Sequence, residues 1–178
     1  NIDNPFVHFA EKPVGKIPEY LNTEIGDFSL QHSLKRADRM VQMASYLAHR
    51  MMKNTFVDKP ILVNIGSSRG ATESWERFYS DFQKTGNTSP ACSPLTTHAN
   101  ISSEISRILQ LENAIHIDHS LTCSSGSAAL LNAIAWLRSG LSKYALVGGS
   151  EASNTKFTLA QIDALGIGSK FDGAFPCR

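Results

Sequence analysis

Cys123 stands where two patterns of the sequence meet. Residues 114–122 alternate between apolar and polar side chains, as a β-strand does, and residues 126–137 repeat their apolar side chains at helical spacing. A cysteine at the start of a helix lies near unpaired backbone N–H groups and the positive end of the helix dipole, which stabilise a thiolate and lower the thiol pKa. The small residues 124–129 leave room for a substrate carbonyl, and backbone N–H groups at such a turn can hold an oxyanion. The pattern therefore predicts that Cys123 is a nucleophile that accepts an acyl group as a thioester.

A general base for this cysteine is harder to assign. The chain has six histidines, which are His8, His32, His49, His98, His116 and His119. His119 is four positions from Cys123, which is roughly 13 Å along an extended segment, and His116 points to the opposite face of the predicted strand. His98 stands at the start of a predicted helix, far from Cys123 in the sequence. We therefore expect that the base for Cys123 is not among these histidines.

The elements that must position Cys123 form an alternating series of helices and strands. Apolar residues at three- and four-residue spacing predict helices over residues 33–52, 73–82, 96–111 and 126–139. The short apolar runs 61–66 and 144–149 predict strands that are buried in a parallel sheet. A strand, a helix and a second strand in this order form a right-handed βαβ unit. The sequence thus predicts the α/β class, with a mostly parallel sheet flanked by helices.

The N-terminal residues follow neither a strand period nor a helix period. Pro5, Pro13 and Pro18 interrupt the apolar clusters of residues 1–32. We therefore predict an irregular arm over residues 1–32 that lies on the core.

Composition and charge argue against several classes of protein. The chain has 17 basic and 16 acidic side chains, with no long run of one sign, so neither a nucleic acid nor a membrane surface is an expected partner. Cys92, Cys123 and Cys177 are widely spaced and form no CxxC pair, which argues against a disulfide framework and a structural zinc site. The sequence has no apolar stretch of about 18 residues and no signal-peptide pattern. We expect a cytoplasmic protein without a metal site.

The sequence around Cys123 resembles the β-ketoacyl synthases, the condensing enzymes of fatty acid and polyketide synthesis, which share the thiolase-like fold. The resemblance is strongest in the Asp-His-Ser-Leu-Thr-Cys-Ser-Ser-Gly run of residues 118–126, in the following helix with its Ser-Gly stop, and in the Ala-Leu-Val-Gly-Gly-Ser-Glu run of residues 145–151. Weaker matches stand upstream in the family's order, in residues 36–39, residues 65–70, and Thr97 with Asn100.

This resemblance implies a function for Cys123. The cysteine would take an acyl chain from the thioester of an acyl carrier protein, with its own backbone N–H as one half of the oxyanion hole. The chain would then be lengthened by decarboxylative condensation with a malonyl thioester, and no cofactor is expected. Arg69, Thr97 and Asn100 are candidates for lining the substrate pocket. Arg69 stands where the family often has an aliphatic side chain beside the acyl pocket, and it either shortens or polarises that pocket or points to solvent.

The resemblance also implies a domain organisation and a partner. Residues 33–178 match the N-terminal half of a ketosynthase domain, after the arm of residues 1–32. The family's two histidines, its lysine and its second oxyanion-hole loop belong to the C-terminal half, so we expect these 178 residues alone to be inactive in condensation. Residues 144–149 match the strand through which the family dimerises. A homodimer, or a heterodimer with a related subunit, is therefore expected.

Three alternatives remain open. A cysteine hydrolase of the amidotransferase type usually has glycine two residues before and two residues after its nucleophile, whereas this chain has Leu121 and Ser125. A non-catalytic partner or scaffold subunit would keep the fold, but such subunits usually lack the cysteine. A thiolase-type enzyme that uses coenzyme A esters would differ mainly in the C-terminal half.

Overall fold

The fold combines helices with the strands of a parallel sheet, as the sequence predicts. A computed structural model describes residues 6–9, 12–55, 60–98 and 100–168. The elements in these ranges are β1 (Phe6–Phe9), β2 (Lys12–Gly15), α1 (Glu19–Gln31), α2 (Arg39–Met52), β3 (Ile61–Gly66), α3 (Thr72–Thr85), α4 (Cys92–Thr96), α5 (Asn100–Leu109), β4 (Ala114–His119), α6 (Ser125–Ser139), β5 (Tyr144–Gly149) and α7 (Lys156–Ala164). Within the described ranges, no helix is both long enough and apolar enough to cross a membrane.

The central element is β3, which lies between β4 and β5 in a parallel sheet of order β4-β3-β5. Ile61 is opposite both Ala114 and Tyr144, and this register continues to Gly66, which is opposite His119 and Gly149. All six residues of β3 are buried, which is the reason for its continuous apolar run. The prediction of an α/β protein with a parallel sheet is therefore confirmed.

Helices cover both faces of β3. On one face Asn64, which is fully buried, donates from Nδ2 to the carbonyl oxygen of Ala129 at 2.8 Å and to Oδ1 of Asn132 at 3.0 Å, both in α6. The other face packs into the main core with apolar side chains of α1, α2 and α5, including Phe28, Val41, Ile101 and Ile105. The sheet is thus flanked by helices on both sides.

Helix α2 begins later than predicted, at Arg39 instead of Ser33. The Asp38 carboxylate caps it by accepting the Met40 N–H at 3.2 Å, and it also accepts the Ser74 N–H of α3 at 3.0 Å. Because Ser33 has a φ of 60°, the helical conformation cannot extend back through it. The residues between Ser33 and Asp38 form turns instead.

The prediction of an irregular arm over residues 1–32 was wrong for most of its length. Residues 6–9 and 12–15 pair as an antiparallel hairpin, and residues 19–31 form α1. Pro18 is the N-cap of α1, a place where proline is tolerated because the missing N–H has no helical partner there. Phe28 of α1 is buried, with its ring centroid 5.6 Å from that of Tyr46 in α2. The helix is therefore joined to the core through this aromatic contact.

Other boundaries moved by a few residues. The short helix α4 lies within the predicted loop 85–94 and extends just beyond it, α5 starts at Asn100, and β4 ends at His119. Helix α6 ends where predicted, with Gly140 as its C-cap at a φ of 74°. Glycine adopts this left-handed conformation without the strain that a Cβ atom would cause.

Candidate active site

Three glycines bring the first turn of α6 against the ends of two strands. A Cβ atom on Gly66, the last residue of β3, would lie 2.3 Å from the carbonyl oxygen of Ser125 and 2.6 Å from the backbone nitrogen of Gly126. A Cβ atom on Gly149, the last residue of β5, would lie 3.6 Å from the Cα of Gly126. Only glycine permits so close a backbone approach at Gly66. The start of α6 is therefore fixed at the carboxyl edge of the sheet, where α/β proteins bind ligands.

Cys123 lies in the tight turn between β4 and α6. In this turn the backbone N–H and the hydroxyl of Ser124 both donate to the carbonyl oxygen of Leu121, at 3.2 and 2.7 Å. Thr122, directly before the cysteine, has a φ of 48°. Cys123 itself is exposed, so its thiol is accessible to a substrate.

Backbone N–H groups beside the cysteine are free to bind an oxygen. Within the described part of the chain, no hydrogen bond is donated by the N–H groups of Cys123, Gly126 and Ser127. Unpaired N–H donors at the start of a helix can hold an oxyanion. An N–H group that already donates to a protein acceptor could not do so. The predicted role of the Cys123 N–H in an oxyanion hole is compatible with this geometry.

Cys123 opens into a cavity of about 360 Å³ at the edge of the sheet. Its walls come from the turn that carries the cysteine and from the loops that follow β3 and β5. Arg69 lines this cavity, and its guanidinium donates to Oε1 of Gln161 in α7 at 2.5 Å. Arg69 also lines a neighbouring groove of about 440 Å³, whose aromatic residues are Trp75, Tyr79 and Phe157. The side chain therefore stands between the cysteine cavity and an aromatic surface.

The other two substrate-pocket candidates lie outside the cysteine cavity. Thr97 is exposed, and its hydroxyl donates to the carbonyl oxygen of Ser93 at 2.8 Å. Asn100 is the first residue of α5, and its Nδ2 is buried without a partner among the described residues. Neither side chain lines the cavity, and their role in substrate binding stays a prediction.

Glu151 is a further residue of this cavity to which the sequence assigned no role. Its Oε2 accepts the backbone N–H groups of Ser68 at 2.8 Å and Arg69 at 3.1 Å, and the hydroxyl of Ser67 at 3.4 Å. The carboxylate thus fixes the loop after β3 to the end of β5. A glutamate two residues after the Val-Gly-Gly strand was the available signal, but its partners are more than 80 residues away in the sequence.

The described histidine side chains do not reach the cysteine cavity. Among the described residues that line it there is no histidine. His119 ends β4, and its Nε2 is buried without a partner in the described part of the chain. His98 lies against the β3–α3 loop, since a Cβ atom on Gly70 would be 2.9 Å from Cε1 of its ring. That the base for Cys123 is not among the histidines of this chain stays a prediction.

Asp118 is the acidic residue nearest in sequence to the cysteine, and it serves the fold. Its carboxylate faces α5, where it accepts the hydroxyl of Ser102 at 2.5 Å and the Ser102 N–H at 3.3 Å. Burial raises the pKa of Asp118, and these two hydrogen bonds and the charges of His116 and His119 oppose the rise only in part. The carboxyl group is therefore held on the face of the sheet away from α6.

Structural comparison finds proteins with the same fold. The ishigamide ketosynthase/chain length factor has a TM-score of 0.67 and 17% identity, over 79% of this chain and 36% of that chain. The ketosynthase (ApeO) in complex with its chain length factor (ApeC) from Xenorhabdus doucetiae has a TM-score of 0.50 and 12% identity, over 75% of this chain and 50% of that chain. The chain thus spans between about a third and a half of the length of these proteins, and the shared fold is thiolase-like.

Sequence comparison gives the family. No curated protein is significantly similar to the chain. The family model of the β-ketoacyl synthase N-terminal domain, however, matches residues 15–178. This match includes α1, and it ends with the last residue of the sequence. The chain therefore belongs to the β-ketoacyl synthase family, through its N-terminal domain.

Proposed function

We propose that the chain carries the nucleophile of a β-ketoacyl-[acyl carrier protein] synthase of fatty acid or polyketide synthesis, and that Cys123 is this nucleophile. The observation that supports the proposal most is the position of Cys123. It is exposed in a cavity at the carboxyl edge of the sheet, beside three backbone N–H groups that are free in the described part of the chain. Membership of the family makes the condensing reaction the expected one.

The reaction has two stages at Cys123. In the first, the Cys123 thiol gives up its proton, and the thiolate attacks the carbonyl carbon of the carrier thioester. The bond from that carbon to the carrier sulfur breaks, and the carrier leaves as a thiolate, which takes up the proton that the Cys123 thiol lost. The free N–H groups would hold the negative oxygen that forms in between. In the second, a malonyl thioester loses carbon dioxide, and its carbanion attacks the acyl group on Cys123. The β-ketoacyl product leaves on the carrier, and the Cys123 thiolate is released.

A direct experiment is acylation of the full-length protein. We would incubate it with acyl-carrier thioesters of several chain lengths, without the malonyl substrate, and measure the adduct by intact-mass and peptide mass spectrometry. The expected result is one acyl group per chain on Cys123. The Cys123→Ala variant should carry none, and Cys92→Ser should be acylated like the wild type, because Cys92 lies in α4 and does not line the cavity.

The outcome also separates the main alternatives. Lack of any adduct with folded full-length protein would reject the synthase and favour a non-catalytic partner subunit. Acylation by coenzyme A esters in preference to carrier thioesters would favour a thiolase-type enzyme. Release of free acid at every turnover would favour a hydrolase.

We further infer that the protein works as a pair of subunits joined along β5. In the sheet that the described residues form, β5 is an edge strand, and the free backbone groups of an edge strand can pair with a second strand. The two similar structures each contain a ketosynthase and a chain length factor, which supports a related chain as partner, with a second copy as the other possibility. Light scattering of the full-length protein should give the mass of two subunits. A single-chain mass at micromolar concentration would contradict this.

A further inference from the structure

The turn that carries Cys123 has a strained backbone. Thr122 has a φ of 48°, in the left-handed region, which a β-branched residue adopts only when its surroundings enforce it. The adjacent Cys123 makes no hydrogen bond of its own within the described part of the chain. The position of the thiol is therefore set by whatever holds the residues on either side of it.

The Ser125 side chain holds this turn through two hydrogen bonds. Its hydroxyl donates to the carbonyl oxygen of Thr122 at 2.6 Å and accepts the backbone N–H of Leu121 at 2.8 Å. The hydroxyl thus binds the backbone of two successive residues, Leu121 and Thr122, and Thr122 is the residue with the strained conformation. Ser125 is 3% exposed and both bonds are partly buried, so water competes for them less than it does for bonds at the open surface.

Ser125 is itself fixed by the sheet. Its backbone carbonyl would be 2.3 Å from a Cβ atom on Gly66, which places it directly against the end of β3. The neighbouring Ser124 differs from Ser125 in its exposure and in the number of its side-chain hydrogen bonds. Its side chain is exposed and makes one hydrogen bond, to the carbonyl oxygen of Leu121. Of the two serines, Ser125 is thus the one that connects the turn to the rigid sheet.

We propose that Ser125 is a positioning residue for acyl transfer, which holds the Leu121–Thr122 backbone so that the Cys123 thiol faces the cavity. Although Ser125 lines the cavity, both hydrogen bonds of its hydroxyl go to the backbone of the turn, so we assign its effect to the turn. This inference rests on the proposed function of Cys123. Removing the hydroxyl leaves the Leu121 N–H without its protein partner and allows Thr122 to relax from its left-handed conformation. Small displacements of a reacting group reduce transfer rates strongly, so we expect Ser125→Ala to lower the acylation rate of Cys123 by about 10- to 100-fold.

Three measurements on the full-length protein test this role, all well below the unfolding midpoint of each variant. The first is the rate of Cys123 acylation from a carrier thioester. The second is the rate at which iodoacetamide alkylates Cys123. This rate depends on the thiolate content and exposure of the thiol and less on its orientation, so we expect Ser125→Ala to change it by less than about 3-fold. The third is hydrogen exchange of the Leu121 amide, which should be protected in the wild type and unprotected in Ser125→Ala.

Matched variants distinguish positioning from simple loss of stability. Ser124→Ala removes a neighbouring hydroxyl and should keep both reactions near the wild-type rate, whereas Ser125→Thr keeps the hydroxyl and should recover most of the acylation rate. Equal acylation of Ser125→Ala and the wild type would overturn the proposal, and so would an equal loss in Ser124→Ala. If Ser125→Ala does not fold, an unprotected Leu121 amide in the wild type overturns it and a protected one supports it. If iodoacetamide labels Cys123 in the wild type but no thioester acylates it, the proposed function is rejected, and the proposed role of Ser125 is rejected with it.

Discussion

The carbonyl oxygen of Ser125 lies where a side chain on Gly66 would have to be, since a Cβ atom there would come within 2.3 Å of it. Real Cβ atoms do not approach a backbone oxygen so closely, and neither the end of β3 nor the first turn of α6 is a flexible side chain that could move aside. The position of the Cys123 turn relative to the sheet therefore depends on residue 66 being a glycine, which has no Cβ atom.

Replacing Gly66 with alanine should separate the two elements. We expect Gly66→Ala to lower the free energy of unfolding by about 3 kcal/mol, as overpacking at a rigid contact does, and to slow acylation of Cys123 in the molecules that remain folded. Denaturant unfolding and the acylation assay measure the two effects. Gly26→Ala is the matched control. Gly26 lies inside α1 with no atom within 4 Å of its Cβ position, so alanine should stabilise the protein there by about 0.5–1 kcal/mol. Equal effects at both glycines would contradict the packing argument.

Asn64 joins β3 to α6 as a hydrogen-bond donor, and this determines which substitutions it tolerates. Its Nδ2 faces two oxygens, those of Ala129 and Asn132. In Asn64→Asp a carboxylate would replace the donor, so we expect a loss of about 3 kcal/mol or more at neutral pH, as for an unpaired buried charge. Asn64→Leu should cost about 1–3 kcal/mol, because the oxygens lose a partner but no charge is buried.

The two variants should also differ in their pH dependence. A buried aspartate that faces oxygens has a raised pKa in the folded state, so Asn64→Asp should regain stability as the pH falls and the carboxyl group binds a proton. Asn64→Leu should show no such gain beyond that of the wild type. Urea unfolding at several pH values makes the comparison, and a stable Asn64→Asp at neutral pH would argue against the donor role.

Glu151 should control the order of the loop after β3. In Glu151→Ala the N–H groups of Ser68 and Arg69 lose their shared acceptor, and we expect a loss of stability of about 1–2 kcal/mol because the carboxylate is exposed to water. The more specific result is faster amide exchange at these two residues. Glu112→Ala is a suitable control, since Glu112 is exposed and its side chain makes no hydrogen bond or ion pair with the described residues. Unchanged exchange at both amides in Glu151→Ala would show that the loop is held by other contacts.

Asp118 should give stability a defined dependence on pH. Because burial raises its pKa in the folded state, the folded protein binds a proton more tightly than the unfolded chain does. Its contribution is therefore greatest at acidic pH and is lost as the pH rises through the raised pKa. Relative to the wild type, Asp118→Asn should become more stable as the pH increases over this window. Asp81→Asn, at an exposed position of α3, should not. A difference between Asp118→Asn and the wild type that stays constant with pH would refute the argument.

The sequence was most informative about two strands of the sheet. One is β3, which is buried throughout, and the other is β5, for which the expectation of burial was wrong because only Leu146 is buried. Residues 61–66 and 144–149 were predicted as strands with the observed bounds, because an apolar run that ends in glycine has few alternatives. It was less informative where a distant residue decides the boundary. The apolar spacing of α2 continues backward through Leu34 and Ala37, but the helix begins at Arg39 because the Asp38 carboxylate caps it and also binds the Ser74 N–H, 36 residues away.

The candidate site likewise has features that the sequence predicted and features that it did not. The junction of strand and helix at Cys123 was visible in the local pattern. Ser125, in contrast, was interpreted only as a small residue that leaves space, whereas its hydroxyl closes the turn. Glu151 belonged to a recognised run of residues, but its contacts with Ser68 and Arg69 need the folded sheet. Local pattern thus pointed to the proposed nucleophile. The contacts that hold its surroundings, the local ones of Ser125 and the long-range ones of Glu151, are seen only in the folded structure.

The order of the strands has a consequence for the growing chain during protein synthesis. The ribosome makes the central strand β3 before either of its neighbours. Both edges of β3 therefore stay unpaired until β4 and then β5 have been made. The buried Asn64 reaches its partner Ala129 across 65 residues, so until α6 is made the apolar residues around it stay open to other chains. Such long-range pairing is slow and exposes surfaces that aggregate. Chaperone dependence of newly made protein is therefore expected to be greatest between the synthesis of β3 and that of β5.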